Sequence, residues 1–402
     1  MIDNEILAIL KEEENRQNNV LEMIASESIQ PQFLLDLQGS IFCNKTAVGN
    51  IGNQRLKGSS IIEKLEILAK KRAEEVFNAD YANMFPYSGS MANFCAYSAF
   101  CNVGDNILAL DPSVGAHQSH GGKKNVSSKI YNFEYFGLNA KTLDIDYDYA
   151  LKIAKTFKPK LIVVGSAAYP RQINYEKLSQ VAKQVNAYLM VDIAHFSGLI
   201  AGGVSDNPFP YADVVTASCT KTMCGPHTGF IMCKKEHEER VKNSVYPGNV
   251  ASLHLQTIAS TASALERSKT PKFKNLMKQI VLNAKALANE FIKKGFGIFT
   301  GGTDCHLMLV DLTPFCVTGE DFANILEGIG VTVNSKAIPL DKAPVAMGVR
   351  LGTTVLTQRG MKEQDMQDVV EIFHLAITGK TQQAKQKVDE LIKKFPIPKD
   401  II

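Results

Sequence analysis

The sequence predicts an α/β fold: a three-layer domain with a mostly parallel sheet, followed by a smaller α+β domain. Two observations support this prediction. Between about residues 60 and 235, short valine-, isoleucine- and leucine-rich runs alternate with helical patterns, which is typical of strands that helices cover on both faces. After about residue 260 the rhythm changes to a long helical segment, two strand candidates and further helices, which indicates a separate domain.

The individual elements follow in chain order. The first domain has five clear strand candidates, which are NILAL (106–110), KLIVVG (160–165), AYLMVD (187–192), DVVTAS (213–218) and GFIMCK (229–234). Single apolar stripes predict amphipathic helices over 61–77 and 174–186. The second domain has predicted helices over 273–295, 319–330 and 363–377, and predicted strands over 305–312 and 330–334. The lysine-rich last twenty residues or so predict a surface helix with solvated lysines.

Three parts are therefore expected. Residues 1–30 are too few and too polar to fold alone, and we expect them to pack as an arm on the rest of the protein or on a partner subunit. Residues 31–260 form the large α/β domain, and residues 261–402 form the small α+β domain.

The composition excludes several classes of protein. The 44 basic and 41 acidic residues give a net charge of only +3, which favours neither a nucleic-acid partner nor an anionic membrane. There is no apolar run of about 18 residues and no signal-peptide pattern. The eight cysteines form no CxxC pair and have no metal-ligand spacing, so we expect no metal. Their apolar surroundings are typical of buried reduced thiols and predict a cytoplasmic protein.

A candidate phosphate site lies in PYSGSMANFCAYSAF (86–100), where Ser88, Gly89 and Ser90 begin a predicted helix. The backbone N–H groups of a helix N-terminus have no partner within the helix, and together with hydroxyl groups they form a ready site for a phosphate. Ordinary helix capping is the alternative interpretation.

A buried carboxylate is predicted at Asp192, which ends the strand candidate 187–192. Open α/β sheets bind ligands at the carboxyl ends of their strands, and a carboxylate there is costly unless it is paired. Pyridoxal 5′-phosphate (PLP) requires such a carboxylate at its pyridine nitrogen, because the protonated ring is an electron sink. His195, three residues later, is placed to reach the phenolic oxygen of PLP. A helix-capping aspartate is the alternative.

Two basic residues complete the pattern. Lys221 follows the strand candidate 213–218 in a loop of small residues, where desolvation lowers the pKa of an amine and favours a Schiff base. Arg350 lies in an otherwise apolar run and therefore needs an anion, and its guanidinium matches a carboxylate. The alternative for Lys221 is an ordinary surface lysine, and the alternative for Arg350 is a structural ion pair. In this order, the four features together predict a PLP enzyme that acts at Cα of an amino acid.

The ordered set resembles the serine hydroxymethyltransferase family, PLP enzymes of fold-type I, over nearly the whole chain. The similar segments are EMIASES (22–28), SGSMANF (88–94), VDIAH (191–195), TKT with GP (220–226), GGTDCHLMLVDL (301–312) and VRLGT (349–353). The resemblance implies a homodimer or homotetramer with its active site at the subunit interface. It also implies an amino-acid substrate, with an aldehyde as a second substrate or product.

The resemblance implies roles for individual residues as well. The cofactor would be held by Ser88, Gly89 and Ser90 at the phosphate, His117 on the ring, Asp192 at the pyridine nitrogen, His195 at the phenolic oxygen, Ser218, and Lys221 as the covalent attachment. The substrate carboxylate would be held by Ser26 and Arg350.

Several positions depart from the family pattern. The family segment that reads like NKYAEGYPGKRYYGG is NKTAVGNIGNQRLKGSS (44–60) here, and the catalytic glutamate of the family is Val48, which has no proton to give. Other substituted positions are Thr46, Arg55, Leu56, Ser113, Gln118, Cys219, His227, Lys336 and the loop GNVAS (248–252). The residues that would attach the cofactor as an internal aldimine are kept, whereas those that serve folate and the β-hydroxyl are changed, and the family's glycine-rich phosphate loop is GNVAS here.

These departures lead to three hypotheses. The first is a PLP enzyme that does not use tetrahydrofolate and catalyses aldol-type cleavage or transfer, as an aldolase, a transaldolase or a specialised hydroxymethyltransferase. Its catalytic residues would be Lys221, Asp192, His117 and His120, with His120 replacing the missing base. The second is a tetrahydrofolate-dependent serine hydroxymethyltransferase with relocated folate contacts. The third is an inactive homologue with a binding or scaffolding role. The sequence does not name the amino acid, the acceptor or the bond that breaks.

Overall fold

The computed structural model describes residues 3–341 and 343–398. Contacts group the chain into two compact units, one of Gln30–Lys278 and one that combines the segment up to Ile29 with the chain from Gln279 onward. The division thus falls later than the predicted boundary near residue 260. The reason is that the helix Leu255–Ser268 packs on the helices Gln32–Gln38 and Ser60–Phe77. The proposed split into an arm, a large domain and a small domain stays a prediction.

Helices contribute much of the described chain. The α-helices are α1 (Asn4–Asn18), α2 (Gln32–Gln38), α3 (Ser60–Phe77), α4 (Gly89–Phe100), α5 (Ser127–Ile130), α6 (Tyr147–Phe157), α7 (Tyr175–Gln184), α8 (Ser197–Ala201), α9 (Glu238–Asn243), α10 (Leu255–Ser268), α11 (Pro271–Lys293), α12 (Gly319–Gly328), α13 (Thr354–Gln358), α14 (Met366–Ile377) and α15 (Thr381–Lys394). None of these helices is both long and apolar enough to cross a membrane.

The strands are mostly short. They are β1 (Leu21–Glu22), β2 (Gly49–Asn50), β3 (Asn53–Gln54), β4 (Tyr81–Asn83), β5 (Asn106–Leu110), β6 (Asn132–Phe136), β7 (Leu161–Gly165), β8 (Tyr188–Asp192), β9 (Val214–Ser218), β10 (Gly229–Cys233), β11 (Gly297–Ile298), β12 (Leu307–Asp311), β13 (Val331–Thr332), β14 (Asn334–Lys336) and β15 (Gly348–Gly352).

The first unit is built on a seven-stranded sheet in the order β4-β10-β9-β8-β7-β5-β6. Strands β5 to β9 run parallel to one another, and β10 runs antiparallel between β9 and β4. Every residue of β7, β9 and β10 is buried, because helices cover both faces of the sheet. The predicted fold class, α/β with a mostly parallel sheet, is confirmed, and all five strand candidates of this domain are strands.

This topology fixes where a ligand binds. The chain leaves β5 for β6 on one side and returns to β7 on the other, so the order of strands reverses next to β5. Ligands of open α/β sheets bind beside the carboxyl ends of the strands at such a reversal. Because β10 is antiparallel, its first residue, Gly229, lies at the same edge as the last residues of β8 and β9.

The second unit is a small α+β body. Its four-stranded antiparallel sheet has the order β11-β12-β15-β14, and β1 pairs with β13 in a separate parallel pair. One face of the sheet carries Met308, Val310, Val349 and Leu351 into an apolar core that includes Phe373 of α14. The predicted strand over 330–334 is wrong as one element, because Val331–Thr332 pairs with β1 whereas Asn334–Lys336 pairs with β15.

The two ends of the chain differ in burial. The predicted surface helix near the C-terminus is α15, which buries Ala384, Val388 and Leu391 and leaves its lysines largely outside the core. The last four residues of that prediction, 399–402, lie outside the described residues. Helix α1 has no buried residue.

Candidate active site

A cavity of about 230 Å³ lies in the first unit, at the edge where the parallel strands end. The structure brings together in its lining all eight residues predicted to hold the cofactor, which are Ser88, Gly89, Ser90, His117, Asp192, His195, Ser218 and Lys221. Their individual roles stay predictions. The predicted substrate residues Ser26 and Arg350 belong to the second unit.

The start of α4 forms one wall of this cavity. Ser88 is the N-cap of the helix, and its Oγ accepts a hydrogen bond from Met91 N at 3.1 Å. The capping interpretation therefore holds for the Ser88 side chain, and the groups left to bind a phosphate would be the first backbone N–H groups of the helix and the exposed Ser90 hydroxyl. Gly229 packs against this turn so closely that a Cβ there would lie 2.2 Å from Ser88 O.

Asp192 presents an anionic carboxylate at the end of β8. Its Oδ1 accepts from Ala194 N at 2.8 Å, and its Oδ2 accepts from Asn93 Nδ2 at 2.8 Å and lies 3.1 Å from His120 Nε2. Burial alone would raise the pKa of this carboxyl, but the hydrogen bond and charge of His120 together with the other donors hold the pKa of Asp192 well below its ordinary value. The group is therefore an anion at neutral pH.

The residues behind Asp192 hold it in place. Asn93 Nδ2 also donates to Ser119 Oγ at 2.9 Å, and Asn93 Oδ1 accepts from Thr216 Oγ1 at 2.5 Å. On the far side, His120 Nδ1 lies 2.5 Å from the Tyr97 hydroxyl, which also contacts Ser119 O at 3.2 Å. Burial raises the pKa of Tyr97, so the phenol keeps its proton.

Both ring nitrogens of His120 are engaged by these contacts. Nε2 donates to Asp192, because an ionised carboxylate can only accept. Nδ1 shares the hydrogen bond with the Tyr97 hydroxyl.

His120 does not fit the role of a replacement base. Its side chain is only 1% exposed, it does not line the cavity, and both of its ring nitrogens are engaged. The geometry therefore argues against a direct reaction with substrate and favours a positioning role behind Asp192. His117, by contrast, lines the cavity, with its Nδ1 2.7 Å from Ser119 Oγ.

Hydrogen bonds and close packing hold the loop that carries Lys221 on two sides. Gly225 N donates to Cys219 O at 2.8 Å, and Arg267 donates to Met223 O at 2.7 Å. On the side of α8, Thr222 Oγ1 donates to His195 O at 2.9 Å, and a Cβ at Gly198 would lie 2.1 Å from Thr222 O. The main chain on either side of the half-buried Lys221 is therefore fixed, and its side chain lines the cavity.

The donor groups of the cavity suit PLP. Asp192 would offer an anion to the pyridine nitrogen, Lys221 would offer an amine to the aldehyde, and the start of α4 would offer N–H and hydroxyl donors to the phosphate.

The predicted substrate residues lie on β15 and beside its last residue, in the second unit. Arg350 Nε donates to Asn334 Oδ1 at 3.0 Å. Two residues later, Gly352 N donates to Met23 O at 2.7 Å, and a Cβ at Gly352 would lie 2.8 Å from Ala25 Cα. The turn that contains Ser26 thus packs beside the end of β15, and Arg350 and Ser26 lie on neighbouring segments.

Several residues of this site were not predicted from sequence. Asn93 and Tyr97 follow Gly89 by four and eight residues, so they lie on the same side of α4 as the cavity wall. A buried asparagine in an otherwise apolar helix was a usable signal. Ser119 and Thr216 gave none, because their contacts with Asn93 join positions far apart in the chain. Tyr87 and His227 also line the cavity, and Tyr87 stacks on His254 with ring centroids 4.2 Å apart.

The two serines of the α4 wall are expected to respond differently to alanine. Ser88→Ala removes the cap and should lower the free energy of unfolding of the apoenzyme by about 0.5–2 kcal/mol. Ser90→Ala should leave that stability unchanged and weaken PLP binding about tenfold, because it removes a hydrogen bond to a charged group. Urea unfolding and fluorescence titration with PLP measure the two quantities. An equal loss of stability in both variants would contradict the assignment of capping to Ser88 and of phosphate binding to Ser90.

The family model described as serine hydroxymethyltransferase matches residues 1–373. Enzymes of that family depend on PLP, so the predicted cofactor agrees with the match. The matched range includes every residue of the cavity, and also Ser26 and Arg350. On this match the chain belongs to the serine hydroxymethyltransferase family.

Proposed function

We propose that this PLP-dependent, serine hydroxymethyltransferase-like enzyme catalyses aldol-type cleavage or transfer at Cα of an amino acid without tetrahydrofolate. The observation that supports the proposal is that all eight residues predicted to hold the cofactor line one cavity, whereas Val48 stands at the position of the family glutamate. Val48 precedes the hairpin of β2 and β3, and its carbonyl accepts a hydrogen bond from Arg55 N at 2.8 Å. An aliphatic side chain there moves no proton between a folate and a substrate hydroxyl.

The proposed roles follow from the geometry. PLP, when bound, supplies an electron sink for negative charge at Cα. Lys221 would hold the cofactor covalently, Asp192 would keep a proton on the pyridine nitrogen, and the start of α4 would bind the phosphate. Arg350 and Ser26 would bind and orient the carboxylate of the amino acid.

Aldol cleavage also needs a group that takes the proton of the β-hydroxyl. With valine at position 48 and His120 buried, the remaining candidates are the histidines that line the cavity, His117, His195 and His227. His227 is exposed, and it forms no hydrogen bond or ion pair among residues 3–341 and 343–398. We propose His227 for this role.

The PLP-loaded enzyme is expected to release glycine and an aldehyde from L-serine, L-threonine or phenylserine, and to exchange the α-proton of glycine, all without folate. Amino-acid analysis, an aldehyde assay and proton NMR measure these reactions. Addition of tetrahydrofolate in the presence of glycine should neither raise the exchange rate nor create a long-wavelength absorbance band. Neither cleavage nor exchange in the loaded enzyme would refute the proposal, and strong stimulation by tetrahydrofolate would favour the folate-dependent alternative.

We further propose that the protein is a homodimer or homotetramer in the cytoplasm. Exposed apolar side chains on α1 support an assembly, since Ile6, Ile9 and Leu10 are each about 60% exposed. Light scattering during size-exclusion chromatography measures the molar mass in solution, and the mass of a monomer would contradict the proposed assembly. Free cysteines, six of them buried, support a reducing compartment.

A further inference from the structure

Three polar residues share one face of the small sheet. Strands β14 and β15 pair antiparallel with Asn334 opposite Arg350 and Lys336 opposite Gly348. Residues directly opposite each other, and residues two apart in one strand, lie on the same face of a sheet. Asn334, Lys336 and Arg350 are therefore neighbours on one face, and the contact of Arg350 Nε with Asn334 Oδ1 agrees with this. The other face carries Val349 and Leu351 into the apolar core.

The position opposite Lys336 cannot supply a counter-charge. It is Gly348, where a Cβ would lie 2.4 Å from Ile338 Cδ1 and 2.9 Å from Val310 O, so no side chain fits. Asp311 on β12 faces Gly348 from the other side and is two strands away from Lys336. Its Oδ1 accepts hydrogen bonds from the backbone N–H and hydroxyl of Thr313.

Lys336 is half-buried, and within residues 3–341 and 343–398 its ammonium forms no ion pair and no hydrogen bond. Burial lowers the pKa of Lys336, and the nearby charge of Arg350 lowers it further. Two cations held side by side with partial loss of water repel each other, and an anion that binds both relieves this cost. An arginine matches a carboxylate with two parallel hydrogen bonds, whereas a lysine binds a carboxylate or a phosphate as a point charge.

We propose that Lys336 and Arg350 form a two-cation subsite that selects substrates with two anionic groups: the α-carboxylate on Arg350 and a distal carboxylate or phosphate on Lys336. This inference rests on the proposed function and names its substrate class, β-hydroxy amino acids with an anionic side chain. For 3-hydroxyaspartate, the hydroxyl loses its proton, the Cα–Cβ bond breaks, and the electron pair left on Cα takes up a proton. The products are glycine and glyoxylate.

The binding test uses ligands that lack a β-hydroxyl and are therefore not cleaved. L-aspartate and L-asparagine have the same shape and differ in charge, and 2-amino-3-phosphonopropionate represents the phosphate class. Calorimetric titration of the PLP-loaded wild type should show both dianions binding at least about tenfold more tightly than L-asparagine. The stronger of the two dianions identifies the distal group.

Three variants locate the effect. Lys336→Met should remove the preference for dianions and leave the affinity for L-asparagine within about twofold, and Lys336→Arg should keep most of the preference. Lys285→Met, at an exposed lysine of α11, is the matched control and should bind like the wild type. Cleavage of 3-hydroxyaspartate relative to threonine, as a ratio of kcat/KM, should fall in parallel with the preference.

The outcomes separate the two proposals. A wild type that binds L-asparagine and dianions equally, or a Lys336→Met variant that keeps the preference, overturns the subsite and leaves the proposed function standing. A wild type that cleaves no β-hydroxy amino acid and exchanges no α-proton of glycine overturns the proposed function, and the substrate class falls with it.

Discussion

Lys221→Ala is expected to abolish covalent attachment of PLP and to lower the rate of glycine α-proton exchange by about three orders of magnitude. The reason is that the variant loses both the tether and a positioned base, and a base alone contributes roughly 10²–10⁴-fold. Wild-type protein treated with PLP and borohydride should gain the mass of one pyridoxyl phosphate on the peptide that contains Lys221. The variant should gain no such mass.

The control for this experiment is Lys269→Ala, because Lys269 pairs with Glu266 on the surface and does not line the cavity. It should keep both the mass shift and the exchange rate. Added methylamine should restore part of the exchange in Lys221→Ala, since a small amine can occupy the space of the missing side chain. If the borohydride adduct of the wild type formed on another lysine, the assignment of Lys221 would be wrong.

The sequence was informative about the central sheet for a physical reason. Strands covered on both faces read as continuous apolar runs, so 161–165 and 229–233 stand out without any long-range information. The short strands β13 and β14 carry no such pattern, because two or three residues cannot show a period. Their pairing with β1 and β15 depends on contacts made across the fold. That is why the segment 330–334 was predicted as one strand.

In the candidate site, too, the residues that follow clearly marked strands were predictable, whereas contacts made across the fold were not. Asp192 ends β8 and Lys221 lies three residues after the end of β9, and the sequence marks both strands clearly, so the place of these two residues at the sheet edge was predictable. The direction of the His120 ring was not predictable, because its position in the sequence does not show which groups the ring faces, and the catalytic role predicted for it stays a prediction. In the structure the His120 ring points at Asp192, and the Tyr97 hydroxyl that completes this contact comes from α4.

Asp192→Asn is expected to lower the exchange rate by about 10²–10³-fold, the usual cost of removing one preorganised electrostatic group. The amide has the same shape as the carboxylate, and its oxygen can still accept from Asn93 and His120. Its NH2 group then replaces the oxygen that accepts from Ala194 N, and the loss of this one hydrogen bond should leave the fold intact. It carries no negative charge, however, and therefore no longer holds a proton on the pyridine nitrogen. NMR of glycine α-proton exchange measures the rate. Titration with PLP shows whether a lower rate reflects a slower loaded enzyme or weaker binding of the cofactor. A variant within about threefold of the wild type would disprove this role for Asp192.

His120→Asn tests whether His120 acts through Asp192. Burial alone raises the pKa of Asp192, and His120 is the largest influence that lowers it, so removing the imidazole should raise that pKa. Because the cofactor needs the ionised carboxylate, the acid limb of the pH–rate profile should move to higher pH. A purely structural role would lower the rate at every pH without moving the limb. In the Asp192→Asn background the same replacement should cause no shift, because the group that titrates is gone.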